Sequence, residues 1–242
     1  MLRYMNVESI AKKEFLEYLQ SSKSRYLDLF RDYINSVKKA RSATELMKLK
    51  QKLLLDYILL LPFEKPYHCF LNVKDTNPCS NCEYGKHHGI CGEIDSDILY
   101  IRNVRNDFLD LIENVYYKGE EYLTKLDKSG LILLITSSEQ RLQDIDIIFT
   151  AEMRNISDSK DIASIYYHHL RLILNLILFL PLYATDCYFC CIRNLQCKDC
   201  EYGKYHRKCS SLFSDYRKID KFRIKLCKAI FKKFYYGERY DG

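Results

Sequence analysis

Apolar residues return every three or four positions from Val7 to about Lys39, at Ile10, Phe15, Leu16, Leu19, Tyr26, Leu29, Phe30 and Ile34. That spacing lays a single apolar stripe along an α-helix. The stretch "ARSATEL" (40–46) interrupts it with turn residues, and Ser42 or Thr44 can cap a second helix that runs through Leu61 and stops at Pro62. A third amphipathic helix is expected after Ser96-Asp97, where a hydroxyl can accept from the first free backbone N–H groups. The plan then repeats. "LILLIT" (131–136) opens a helix or a short strand, and "SDSKD" (157–161) makes a turn. Ile162 to Leu180 reads as a helix stopped by Pro181, and Ser214-Asp215 starts a last one. The pattern predicts an all-α chain whose unit is helix, helix, cysteine loop, helix.

The repetition extends to residue identity. "CEYGKHHGIC" (82–91) recurs 118 residues later as "CEYGKYHRKC" (200–209). With one residue of slippage "KLLLDYILLLP" (52–62) matches "RLILNLILFLP" (171–181), and at the unchanged offset "YYKGEEY" (116–122) matches "FYYGERY" (234–240). A fixed internal offset is the mark of a duplicated unit. Residues 1–122 form the first repeat, 123–130 ("LTKLDKSG") the connector and 131–242 the second repeat. The repeats can stand as separate lobes or as one body about a pseudo-two-fold axis, as a fused symmetric dimer would.

Composition narrows the class. A chain of 242 residues that is 48% hydrophobic, with four prolines and eight glycines, can bury a substantial core. Met1 to Gln20 is charged and amphipathic rather than a secretory leader, and Asp56, Arg171 and Asn175 interrupt the longest apolar runs. An intracellular, cytoplasmic protein without a membrane span is expected. Eleven cysteines in such a chain point to metal ligation ahead of a disulfide framework.

Both copies spell C-x9-C-x2-C-x8-C, through Cys69, Cys79, Cys82 and Cys91 and through Cys187, Cys197, Cys200 and Cys209. Four thiolates close a tetrahedral structural zinc site, so two Zn2+ per chain are expected. An iron-sulfur cluster uses the same ligation and is the alternative that spacing leaves open. His88 and His206 recur three residues before the last cysteine. Each either replaces the distant Cys69 or Cys187 as a ligand or, the preferred reading, donates to a thiolate or the backbone beside the metal. Gly85 and Gly203 are expected to supply a permissive backbone angle, Lys86 and Lys204 a cation near the thiolates, and Tyr84 and Tyr202 a cover. Cys190 and Cys191 belong to the second copy alone and read as alternative ligands, redox thiols or auxiliary thiols. Cys227 reads as a small core residue.

Charge separates the copies. Residues 99–122 hold three Lys/Arg against five Asp/Glu, whereas 217–240 hold nine against two. On a helix Lys218, Lys221, Lys225, Lys228 and Lys232 form one stripe, with Ile219, Phe222, Leu226 and Ile230 on another face. A basic stripe with Tyr216, Phe234, Tyr235 and Tyr236 nearby, beside a knuckle bearing Lys204, Arg207 and Lys208, suits nucleic acid or a nucleoprotein complex. None of the phosphate-loop, dinucleotide, zinc-protease or serine-hydrolase motifs occurs, so a non-enzymatic protein is expected. Two other functions fit the same residues: a protein-binding adaptor or inhibitor that uses the metal-stapled scaffold, and an iron-sulfur or redox protein.

Overall fold

The computed structural model describes residues 2–62, 93–193 and 199–233, and every regular element among them is helical. The order is α1 (Leu2–Lys39), α2 (Ala43–Leu59), α3 (Asp97–Val115), α4 (Lys128–Asp158) and α5 (Ile162–Leu178). A 3-10 turn (Ala184–Asp186), two short helices, α6 (Tyr188–Ile192) and α7 (Glu201–His206), and α8 (Asp215–Lys233) complete it. No described helix is long and apolar enough to cross a membrane.

The starts are set by caps that local sequence supplies. Ser42 accepts from Glu45 N–H, Ser96 from Leu99, Asp127 from Gly130, Asp161 from Ser164 and Ser214 from Arg217. Each satisfies a backbone donor that the helix cannot. Thr44, the other expected cap, instead accepts from Tyr122 N–H at 2.8 Å and ties the segment after α3 to α2. Helices α2 and α5 end two residues earlier than their apolar runs. Leu61 and Leu180 turn into 3-10-type bonds to Ile58 and Ile177, as expected just before a proline, which disfavours α geometry in the residue preceding it.

Helix α4 begins at Lys128, capped by Asp127, and so takes in the last three residues of the 123–130 stretch. "LILLIT" lies within this helix and forms no strand. Gly130 also has a packing role: a Cβ there would collide with the Ile192 side chain, so its absence lets α6 seat directly on α4.

Helix bounds recur at fixed intervals. Helices α2 and α5 are both 17 residues and start 119 positions apart, and α3 and α8 are both 19 and start 118 apart. Helix α1 runs antiparallel to α4, with Lys12 Nζ donating to Ser159 O at 2.8 Å and Lys23 pairing with Asp146 at 2.7 Å. Helix α3 runs antiparallel to α8, with Phe108 and Phe222 stacked at 5.9 Å and Lys233 pairing with Asp97 at 2.9 Å. Between these layers the core closes around Tyr57. It is fully buried, donates to Leu176 O at 2.8 Å and accepts at its own carbonyl from Tyr26 Oη at 3.0 Å. Burying two phenols in an apolar core is tolerated because each hydroxyl has a carbonyl partner.

Candidate functional site

Cys69, Cys79, Cys82, Cys91 and His88 lie outside the described residues, as do Cys197, Phe234, Tyr235 and Tyr236. The second cysteine segment is therefore described through Cys187, Cys190, Cys191, Cys200 and Cys209.

A bidentate ion pair positions this segment. Arg141 on α4 reaches both carboxylate oxygens of Asp186, at 2.5 and 2.6 Å, and donates to Phe179 O at 2.8 Å. Asp186 also accepts from Tyr183 N–H at 2.8 Å, which fixes the turn that delivers Cys187 to the first turn of α6. Cys190 N–H donates to Cys187 O at 3.0 Å, which places the two thiols side by side. The neighbouring Cys190 thiol, helped by the N–H groups of Cys190 and Phe189 and by Lys50, pulls the Cys187 thiol below its ordinary pKa against the opposing effect of burial. The same neighbour relation pushes the Cys190 thiol up, reinforced by burial. Cys191 turns away, donating to Thr185 O at 3.5 Å, and burial raises it to about 11. Cys227 lies half-buried on α8 and packs against the core, as a small core residue does.

Cys187, Cys190 and Cys209 line one cavity of about 240 Å3 together with Tyr202 and Lys50. Cys200 is buried at the start of α7. Among the described residues no three His, Cys, Asp or Glu side chains converge as a ready-made metal group. Lys50, on α2 and 5% exposed, enters the cavity from the first repeat. Burial lowers it to about 8, against the pull of Asp186.

His206 sits in a closed set of bonds. Its Nδ1 lies 3.0 Å from Asp215 Oδ2, its Nε2 lies 3.1 Å from Tyr122 Oη and 3.4 Å from Glu120 Oε1, and its ring stacks on Tyr202 at 4.2 Å. Both nitrogens are thus engaged by protein oxygen. Glu201, the second residue of the recurring decapeptide, accepts from Leu123 N–H at 2.7 Å and from Thr124 N–H at 2.8 Å and the Thr124 hydroxyl, contacts that no local pattern signals. Residues 118–124 thereby strap α7 in place, with Lys118 on Asp215 at 3.0 Å. Gly203 lies inside α7 without a positive φ, contrary to the expectation of a permissive angle there. Asp199 (φ 58°) and Arg207 (φ 63°) take the left-handed positions on either side.

The basic stripe forms a groove. Lys221, Lys225, Lys228 and Lys232 of α8, with Lys233 and with Tyr100 of α3, line an open space of about 460 Å3. Lys218 stands apart, held by Asp215 at 2.8 Å, and Lys225 lies 3.9 Å from Asp107. Lys204, Arg207 and Lys208 are exposed on α7 and the turn after it and do not line the groove. Ile219, Leu226 and Ile230 are buried on the opposite face. The acidic third helix and the basic last one are packed partners, so their charges share one surface.

No protein-family model, curated protein or solved structure matches this chain.

Proposed function

We propose that this chain is a non-enzymatic, metal-stapled helical protein that holds the phosphate backbone of a nucleic acid, alone or within a nucleoprotein complex, in the groove between α3 and α8. The observation that carries this is the groove wall: five lysines around a half-exposed Tyr100, in a space of about 460 Å3. Ammonium groups in a row neutralise consecutive phosphates and release their counterions, and an aromatic face accepts a stacked base. The described histidines are held by other protein groups: His168 by Glu152 at 2.9 Å, His169 by Pro62 O at 2.8 Å, and His206 inside its strap.

The proposal includes the architecture. Two copies of one helix-helix-cysteine loop-helix unit sit about a pseudo-two-fold axis, and each knuckle holds one zinc, giving two per chain in an intracellular protein. Equal helix lengths at fixed intervals support the duplication. So does the bond from Tyr57 to Leu176, a residue and its counterpart 119 positions on. An adaptor with separate acidic and basic docking faces is less well supported, because those faces lie against one another.

Binding of single-stranded and duplex DNA and RNA over a range of salt concentrations tests the reading. Affinity should fall as salt rises, and the triple change K221E/K228E/K232E should flatten the log–log slope by roughly 2.7 if three duplex phosphate contacts are lost. Wild-type protein without salt-sensitive binding to any of the four would refute it.

A further inference from the structure

Repeat spacing assigns the fourth ligand of the second knuckle to Cys197. Among the described residues, Cys190 joins Cys187 and Cys209 in lining one cavity, and its N–H donates to Cys187 O at 3.0 Å one helical turn away. Cys187 and Cys190 form a C-x2-C pair on one helical turn, the spacing that turns two neighbouring sulfurs toward one metal.

Two further observations point to a negatively charged occupant of this space. Tyr202 is 3% exposed and lines the cavity, and its hydroxyl has no hydrogen-bond partner among the described residues. An orphaned buried donor of this kind calls for an acceptor that the polypeptide alone does not provide, and a metal-bound thiolate is one. The buried Lys50 ammonium opens onto the same space, and Arg217 joins it at the rim. Four thiolates around a divalent ion carry a net charge of about −2. A buried lysine supplied by the other repeat is suited to balance it.

We propose that the second metal centre is ligated by Cys187, Cys190, Cys200 and Cys209, with Cys190 in the place that the repeat gives to Cys197 and with Lys50 of the first repeat neutralising the thiolates. The proposal rests on the reading that the chain binds a thiophilic metal, and it adds which thiols do so. Zinc and an iron-sulfur cluster share this ligation. Three of the four thiols line a cavity of about 240 Å3, and the fourth, Cys200, is buried at the start of α7. The two knuckles are then unlike in their ligands: the first repeat has Asn72 where the second has Cys190.

Elemental analysis of the full chain, purified anaerobically under reducing conditions, tests this with C190A, C191A and C197A. C190A should lose the complement of one site, while C191A and C197A keep that of the wild type. Full metal content in C190A, or loss in C197A, overturns the assignment. Differential alkylation of the wild-type protein removes the dependence on a variant's folding. Cys187, Cys190, Cys200 and Cys209 should become reactive together when a chelator is added, with no chelator-dependent change at Cys197. The opposite exchange between Cys190 and Cys197 overturns the proposal. K50M should weaken retention of this metal by about tenfold, the usual effect of removing a group that supports the ligands. Zinc against iron plus acid-labile sulfide identifies the occupant. A wild-type protein with neither metal defeats the underlying metal reading, a result distinct from a metalloprotein in which C190A retains its full complement.

Discussion

Lys225 Nζ lies 3.9 Å from Asp107 Oδ2 across the α3–α8 packing, and the two residues are 118 positions apart, the offset at which the decapeptide recurs. The same charge at both positions would set like against like across the packing. Opposite signs make the contact complementary. The pair is half-exposed, so its contribution is small, about 0.2–1 kcal/mol, and weaker in salt. K225E should therefore lower stability by about 1 kcal/mol or less, and D107K added to K225E should restore it. Urea midpoints of the two single variants and the double variant measure the coupling, and strictly additive effects would contradict the pairing.

A much larger effect is expected at Arg141 and Asp186, whose side chains are 9% and 2% exposed. Removing one partner leaves a buried charge unmatched, so R141M alone should destabilise by about 3–5 kcal/mol. R141M with D186L, which removes both charges, should recover most of that loss. Because Asp186 immediately precedes Cys187, R141M should also speed metal loss from the second segment on the proposed metal reading. Chemical denaturation and chelator-release kinetics read the two consequences separately.

The all-helical class and most helix starts were legible because they depend on neighbouring residues: an apolar stripe, a cap, a proline. Ser96 and Ser214 cap where expected, and Ile219, Leu226 and Ile230 face inward as their spacing implies. The contacts that hold the cysteine segment were not legible. Arg141 finds Asp186 across 45 residues, Glu201 finds Thr124 across 77, and Gly130 makes room for Ile192. Nothing in a local window signals such pairings. Glu201 did carry one signal, since Glu83 repeats it within the duplicated decapeptide. Gly203 misled for the converse reason. A glycine beside a cysteine suggests a turn, yet long-range contacts from 118–124 stabilise a helical turn through it. Lys50 could not be associated with the Cys187–Cys190–Cys209 cavity from sequence, because it lies 137 residues before Cys187.

Acid should loosen the strap before it unfolds the core. Burial would raise the Asp215 carboxyl, but hydrogen bonds from Lys218, Lys118 and His206 outweigh it and hold its pKa below the ordinary 3.8. A carboxyl depressed in the folded state binds its proton first in the unfolded chain as pH falls. Its stabilisation is complete above pH about 4 and disappears as pH drops through the folded value. Wild-type stability should thus decline below pH about 4, and D215N, already weaker at neutral pH, should show a shallower decline. Urea unfolding at a series of pH values checks this, and parallel acid limbs for the two proteins would rule out Asp215 as the source.

The role of His206 can be separated from metal ligation by its own variant. Its Nδ1 faces Asp215 at 3.0 Å and its Nε2 faces Tyr122 at 3.1 Å, so ligating a metal would require breaking one of two buried bonds. H206A removes both, leaving the Tyr122 hydroxyl without this partner and the Asp215 carboxylate with Lys118 and Lys218 alone. A buried polar group left unpaired costs about 1–3 kcal/mol. The expected outcome is a clear loss of thermal stability and earlier proteolysis of the 118–124 strap, with metal content equal to that of the wild type. Y122F, which withdraws only one of the two partners, should show a smaller loss in the same direction. If H206A instead loses one equivalent of metal while its helicity and strap remain intact, the imidazole is a ligand and the bonds to Asp215 and Tyr122 give way when the metal binds.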